Sequence, residues 1–101
     1  MMNIDFTAMA GNVTEAEQLL KILANKNRLM ILCSLQDKEM SVSQLNEAVP
    51  LAQSALSQHL AALRKANVVA TRRESQTIYY RVIDPNAVQL LSTLYELFCK
   101  R

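Results

Sequence analysis

The feature that most constrains the fold is a short helix followed by a tight turn and a longer helix. The short helix opens with a capping box, in which Ser41 and Gln44 each bond the other residue's backbone N–H. Pro50 cannot continue a helix, so the stretch "VPLA" forms the turn. A longer helix then covers roughly residues 52–66, and Asn67 is suited to a left-handed stop. This layout is that of a helix-turn-helix.

The hydrophobic period changes after these two helices. Two segments, "VVATRRE" and "TIYYRVI", are rich in β-branched and aromatic residues, and the polar pair Ser75 and Gln76 separates them. This pattern predicts a two-stranded hairpin. A last helix follows, with Asp84 as its cap and Pro85 at its first position. A hairpin directly after a helix-turn-helix is a wing, so the sequence predicts a winged helix-turn-helix.

Two further helices precede the motif. The first, "TEAEQLLKILA", begins with a second capping box formed by Thr14 and Glu17. The second, "NKNRLMILCSLQ", starts at Asn25 and carries a continuous apolar stretch. The predicted fold is therefore mainly α, of the α+β class. Its order is two helices, a short strand, two helices, a two-stranded hairpin and a final helix.

Length and composition favour a single domain over residues 1–101, with residues 1–11 as a flexible N-terminal arm. Half of the residues are apolar, and there are only one Gly and two Pro. The chain has no run of about 18 apolar residues, so the sequence predicts no membrane span. The start, "MMNIDFTAMAGN", lacks the basic and apolar regions of a secretory signal. We therefore expect a cytoplasmic protein with reduced thiols and no membrane partner.

The basic residues are concentrated in one part of the chain. The formal net charge is only +2. Residues 53–82 nevertheless hold five basic residues and one acidic residue, whereas the rest of the chain holds six basic and eight acidic residues. This asymmetry indicates an anionic partner for the segment that contains the longer helix and the hairpin.

The longer helix has an apolar face and an unusual polar face. Leu56 and Leu60 lie one turn apart and would face the core, whereas Ser54, Ser57 and Gln58 share the other side. Ser is a poor helix former, so helix stability does not explain this cluster. In the major groove, Gln pairs with adenine and Ser pairs with most bases. Because the second helix of a helix-turn-helix enters that groove, we expect double-stranded DNA as the partner.

The predicted DNA-contacting residues extend beyond this face. Basic side chains near the helix end suit phosphates, and the hairpin could grip the backbone or the minor groove. The predicted set is Gln53, Ser54, Ser57, Gln58, His59, Arg64, Lys65, Arg72, Arg73, Gln76 and Thr77. For any one residue, a solvated polar face is the plain alternative. A lone histidine beside an apolar stripe is usually structural, so a base contact by His59 is an open question.

Two segments resemble the ArsR/SmtB-type bacterial transcriptional regulators. The segment "LAQSALSQHLAALRKANVVATRRESQTIYYRV" resembles the recognition helix and wing of that family. The segment "LLKILANKNRLMILCSL" resembles its first two helices. The resemblance covers about residues 14–99. It implies a homodimer formed through the first and last helices. It also implies binding to imperfect inverted repeats in promoter regions, as a repressor that a chemical signal releases. The protein would then be bacterial and associated with the nucleoid when it is bound to DNA.

Metal sensing is not expected. Many members of the family use a Cys-x-Cys element on the third helix, or Asp, His and Glu ligands on the last helix. Here the third helix, "SVSQLNEAV", has neither Cys nor His, and the last helix offers Asp84 and Glu96 without a His. Zinc prefers four nitrogen or sulfur ligands, and soft metals prefer clustered thiolates. We therefore predict no metal site and no cofactor.

The two cysteines, Cys33 and Cys99, are 66 residues apart. The residues alone leave two roles open, because a free Cys often packs as a small apolar side chain. Their contexts, "RLMILCSL" and "LYELFCK", resemble the thiol- and persulfide-sensing branch of the family, the HlyU/BigR/SqrR/YgaV-like regulators. That resemblance implies a redox-sensing pair, which reactive sulfur or oxygen species oxidise to a disulfide or polysulfide bridge.

The last helix also favours a homodimer, because its apolar surface is too wide for one core-facing stripe. Its apolar residues are Val88, Leu90, Leu91, Leu94, Tyr95, Leu97 and Phe98.

An enzyme is not expected, since the single His has no third group to orient it as a base and the chain has no Gly-rich loop. The main alternative is a DNA-binding regulator without a thiol switch, which antagonises other DNA-bound repressors.

Overall fold

The winged helix-turn-helix predicted from the sequence is present in the computed structural model, which describes residues 4–99. The described part contains five helices and a three-stranded antiparallel sheet. In chain order the elements are α1 (Phe6–Leu23), α2 (Lys26–Ser34), β1 (Met40–Ser41), α3 (Val42–Ala48), α4 (Gln53–Lys65), β2 (Val69–Glu74), β3 (Thr77–Val82) and α5 (Pro85–Phe98).

The helix-turn-helix forms through the local signals that predicted it. Ser41 caps α3 in a complete capping box with Gln44. After α4, Asn67 takes a left-handed φ of 60°, and the N–H of Val68 bonds the carbonyl of Leu63. The N–H of Asn67 bonds the carbonyl of Arg64, which completes a Schellman motif. Both ends of the two-helix unit are therefore set by neighbouring residues.

The hairpin pairs as predicted, and the short strand β1 joins it. The strand order is β1-β3-β2, with Met40 opposite Tyr80 and Arg72 opposite Tyr79. Ser75 has a positive φ of 59° and lies at the turn after Glu74, which pairs with Thr77. The two-residue turn leaves β2 and β3 as a ribbon that extends from the body as the wing.

The first helix is longer than the sequence predicted, so the prediction that a capping box of Thr14 and Glu17 starts this helix is wrong. The helix α1 begins eight residues earlier at Phe6, because the side chain of Asp5 accepts a hydrogen bond from the Ala8 N–H. Residues 6–11, predicted to be a flexible arm, therefore belong to this helix. Residues 1–3 of that arm lie outside the described residues.

The core lies between α2, α3, α4 and the start of the hairpin. The predicted apolar face of α4 is confirmed, since Leu56, Leu60 and Leu63 are at most 1% exposed. Val68 and Val69 extend this core toward the sheet. At the other end of the hairpin, Asp84 caps α5 and Pro85 occupies its first position, as predicted. Within residues 4–99, none of the helices is both long and apolar enough to span a membrane.

Candidate nucleic-acid interface

The recognition helix α4 presents an exposed polar face opposite its buried leucines. Gln53, Ser54, Ser57 and Gln58 are all exposed. Because Leu56 and its neighbours fix the helix from below, these four side chains point outward along its first two turns. They are short or end in an amide, so the helix backbone can approach the base edges closely while they donate and accept hydrogen bonds.

Exposed cations lie at the end of the recognition helix and on the wing. Arg64 and Lys65 occupy the last turn of α4 and are exposed. On the wing, Arg73, Gln76 and Thr77 are exposed at or near the turn. Among the described residues, no hydrogen bond or ion pair involves the side chain of Arg73. These exposed cations have the charge required for phosphate contacts.

Arg72 is placed differently from its neighbour on β2. Its Nε donates to both carboxylate oxygens of Glu39, at 3.0 and 3.2 Å, and one terminal nitrogen lies 2.9 Å from the nearer oxygen. The other terminal nitrogen lies 2.8 Å from Glu74. The guanidinium also stacks over the ring of Tyr79, with its carbon 4.7 Å from the ring centroid. The predicted phosphate ligand thus already has partners within the protein.

These contacts also change the acidity of the groups involved. The hydrogen bond from Arg72 holds the pKa of Glu39 below its ordinary value, and the charges of Arg72 and Arg81 add to this effect. The same hydrogen bond, with a second that Arg72 donates to Glu74, raises the pKa of Arg72. Glu39 therefore keeps its negative charge at the base of the wing through the neutral pH range.

His59 lies on the flank of α4 and is half-buried. Its Nδ1 accepts a hydrogen bond of 3.2 Å from Nε of Arg28 on α2. Because Arg has only donors, Nδ1 of His59 is the acceptor in this contact. The histidine predicted as an uncertain base contact thus joins the recognition helix to α2.

Sequence reasoning did not identify Glu39, Arg28 or Tyr79 as part of this region. Glu39 precedes β1 and lies 33 residues from Arg72 in the chain, and Arg28 lies 31 residues from His59. The sequence contains one weak signal for these contacts. Tyr79 and Arg72 fall opposite one another if the hairpin closes at Ser75 and Gln76, so their stacking follows from the predicted register.

The two cysteines are both exposed and both free. Cys33 lies near the end of α2, and Cys99 follows the last residue of α5. Partial burial raises the pKa of the Cys33 thiol, and negative charge on Cys99 raises it further. A second contact, from Gln36 Nε2 to Ser92 Oγ at 3.0 Å, ties the end of α2 to α5. The hydrogen bond thus joins the chain just after α2 to α5, while both thiols are free and unbridged.

Residues 4–99 contain no cluster of three or more His, Cys, Asp or Glu side chains that could hold a metal ion. The arrangement of exposed groups instead combines a polar helix face, flanking cations and a basic hairpin. Such a surface can bind a duplex through base edges and phosphates.

The comparisons with known proteins agree with this geometry. Residues 25–71 match the family model of the bacterial regulatory proteins of the arsR family. Over 92 residues the chain is 45% identical to the transcriptional activator HlyU of Vibrio cholerae, covering 91% of this chain and 85% of that protein. It is 43% identical to the biofilm growth-associated repressor of Agrobacterium fabrum, covering 95% of this chain and 82% of that repressor.

Solved structures share the same fold. Reduced HlyU from V. cholerae superposes with a TM-score of 0.86 at 44% identity, covering 91% of this chain and 97% of the HlyU chain. The transcriptional repressor BigR from Xylella fastidiosa gives a TM-score of 0.89 at 38% identity, covering 95% and 98%. The chain therefore belongs to the arsR family of bacterial regulatory proteins, in its HlyU/BigR branch, and is a DNA-binding transcriptional regulator.

Proposed function

We propose that this regulator binds an imperfect inverted repeat as a homodimer, and that oxidation or persulfidation of Cys33 and Cys99 lowers its affinity for that DNA. The observation that carries the DNA part is the exposed polar face of α4 above fully buried leucines. The switch is supported by the exposure of both thiols and by the hydrogen bond from Gln36 to Ser92, which joins the end of α2 to α5.

In this proposal the first two turns of α4 read the bases. Gln58 is suited to adenine, because its amide can donate to N7 and accept from N6 in a bidentate pair. Ser54 and Ser57 lie on the same face and offer one donor and two acceptor positions each. Arg64 and Lys65 follow at the helix end, where they would contact phosphates and fix the register of the helix in the groove.

The dimer is supported by apolar side chains that the described chain leaves exposed on α1 and α5. Met9, Val13 and Leu20 are 49%, 51% and 55% exposed on α1, and Leu97 is 59% exposed on α5. A groove lined by residues of both helices lies between them. A second copy would cover this surface and would place two recognition helices at about 34–36 Å, which suits successive major grooves.

A matched pair of variants tests the dimer. Leu20→Glu places a charge on the proposed interface and is expected to convert the protein to a monomer in sedimentation velocity. Ile78→Glu, on the wing, makes the same kind of change at an exposed apolar residue outside the interface, and it should leave the dimer intact. A Leu20→Glu protein that remains dimeric would contradict the use of α1 in the interface.

The switch acts through the position of α2. Cys33 lies on α2, and the same helix holds the recognition helix through Arg28 and His59. Closing a bridge between Cys33 and Cys99 removes two electrons and two protons from the two thiols. A polysulfide or a peroxide accepts the electrons, and a sulfur atom transferred first would remain in the bridge. The bridge would pull the end of α2 toward α5 and change the spacing of the two recognition helices.

The expected size of the effect follows from coupling free energies in other switches. A coupling of about 1–3 kcal/mol between the thiol pair and DNA binding corresponds to roughly a 5- to 150-fold change in affinity. A disulfide needs Cα atoms about 5.5–6 Å apart, whereas a polysulfide bridge spans a wider gap. The proposal therefore includes both kinds of bridge.

Fluorescence anisotropy with a duplex from the region upstream of the protein's own gene tests the proposal. The titration is made at one fixed salt concentration, first with reduced protein and then after treatment with a polysulfide donor. We expect treatment to lower the affinity of the wild type. Cys33→Ser and Cys99→Ser should each bind like the reduced wild type and should not respond to the donor. Mass spectrometry of the treated protein identifies the bridge.

One relative favours a second candidate function, because HlyU of V. cholerae is a transcriptional activator. A regulator without a thiol switch could activate genes by displacing other DNA-bound repressors. In the same titration this function predicts tight binding that the donor does not change. A competition assay against a repressor bound to the same duplex would then show displacement.

A further inference from the structure

Glu39 connects the three strands of the sheet through side-chain contacts. It stands immediately before Met40, the first residue of β1, which pairs with β3. Its carboxylate accepts from Arg72 on β2 at 2.9–3.2 Å, and one of its oxygens lies 3.8 Å from Arg81 on β3. A side chain from outside the hairpin therefore contacts both strands of the wing.

The geometry of the Arg72 guanidinium shows why this contact is specific. Glu39 occupies Nε and one terminal nitrogen, Glu74 occupies the other, and the flat face lies on Tyr79. Nε and the terminal nitrogen both lie within 3.0 Å of the same carboxylate oxygen, and Nε also reaches the second oxygen, so the pair fixes the orientation of the guanidinium. A phosphate could reach Arg72 only if the guanidinium gave up a carboxylate partner that it already holds.

Arg73 is the next residue along β2, and successive side chains in a strand point to opposite faces. It is exposed and pairs across the hairpin with Ile78 rather than with Tyr79. The described residues provide no carboxylate partner for it. Of the two adjacent arginines, only Arg73 thus presents an uncompensated charge.

We propose that Glu39 is a positioning residue for DNA binding, which holds Arg72 and thereby sets the angle of the wing, while Arg73 makes the phosphate contact. This inference rests on the proposed DNA-binding role of the wing. It assigns different tasks to two neighbouring arginines that the sequence alone predicted to be equivalent.

The variant Glu39→Gln removes one negative charge and distinguishes two possible roles of Glu39, masking Arg72 or positioning it. Removing a negative charge near DNA ordinarily strengthens binding, because phosphates are repelled less. If Glu39 only masked Arg72, Glu39→Gln would raise the affinity and steepen the salt dependence through an added phosphate contact. A positioning role predicts the reverse. Exposed ion pairs also contribute little to stability, so the variant should fold normally and lose binding for a geometric reason.

The test measures affinity and its salt dependence for Glu39→Gln, Arg72→Gln and Arg73→Gln, with Glu17→Gln on α1 as the matched loss of one negative charge. We expect Glu39→Gln and Arg72→Gln each to lower affinity at least about fivefold with an unchanged salt slope, and their combination to lose little more. Arg73→Gln should lower the slope by about one unit for each phosphate that is no longer neutralised. Glu17→Gln should not lower the affinity.

Two results of the titrations would overturn the positioning role. One is an equal or higher affinity of Glu39→Gln, and the other is a salt slope that falls as much in Arg72→Gln as in Arg73→Gln. Amide hydrogen exchange of β2 and β3 in the free proteins gives a readout independent of DNA. It should accelerate in Glu39→Gln, and unchanged exchange would also overturn the role. A wild type that binds no duplex would instead contradict the proposed function. The exchange measurement tests the wing contacts without DNA, so a failure of the proposed function and a failure of the positioning role can be distinguished.

Discussion

Nε of Arg28 on α2 donates a hydrogen bond of 3.2 Å to Nδ1 of His59 on the recognition helix α4. The bond links the helix that carries Cys33 to the helix that carries the polar face. It also turns the imidazole toward the protein body, where the side chain is half-buried. His59 therefore has the position of an orienting residue for the recognition helix.

We expect His59→Ala to lower the free energy of unfolding by about 1.5–3 kcal/mol, because it removes a hydrogen bond to a charged group. It should also weaken binding to all operator variants by a similar factor. Urea denaturation and anisotropy titrations measure the two effects. Arg28→Ala and the double variant complete a double-mutant cycle, in which the two single losses should not add. A loss of discrimination at one base pair would show that His59 reads a base instead.

Gln58→Ala should relax the preference for one base pair in each half-site, at a cost of about 1–3 kcal/mol for the preferred operator. The reason is that the exposed amide of Gln58 can form two hydrogen bonds that match one base. Titrations against a set of duplexes, each changed at one symmetric pair of positions, measure the effect. Lys65→Ala is the control, and it should weaken every duplex alike and lower the salt slope. Equal losses for Gln58→Ala across the set would rule out base reading.

The pH dependence of Cys33 alkylation should be shifted upward. Burial and the charge of Cys99 both raise the Cys33 pKa, so less thiolate is present near neutral pH than for an ordinary thiol. In Cys99→Ser the charge effect disappears, and the midpoint for Cys33 should move down while staying above the ordinary value. Mass-spectrometric alkylation rates at a series of pH values provide the midpoints. A midpoint that Cys99→Ser does not move would contradict the electrostatic contact between the thiols.

Asn67→Ala should destabilise the protein by about 1 kcal/mol, because Asn67 holds a φ of 60° that a β-carbon disfavours. Asn67→Gly relieves that strain and should be neutral or slightly stabilising. Thermal or urea unfolding measures both variants. Ala66→Gly, at the preceding cap residue with a negative φ of −81°, serves as the control that should not stabilise. Equal stability of the Ala and Gly variants at Asn67 would contradict the Schellman ending of α4.

Much of the fold follows from local signals in the sequence. The capping box of Ser41 and Gln44 requires only residues within one turn, and the stop at Asn67 requires only the preceding helix end. Alternation in the hairpin and the leucine spacing of α4 similarly depend on near neighbours. The start of α1 escaped prediction because two caps competed. Asp5 caps the observed helix, and good helix formers such as Ala8 and Met9 carry it past Thr14.

The sequence by itself determined the architecture and the polar face of α4, because periodicity decides which side chains share one side of a helix. Only the tertiary structure decided which of the predicted DNA-contacting side chains have partners from distant parts of the chain. Arg72 and Arg73 are equivalent in the sequence, yet Glu39 engages Arg72 and not Arg73. His59 is likewise held by Arg28. A hydrogen bond depends on positions within about 3 Å, which packing between elements sets and local pattern does not.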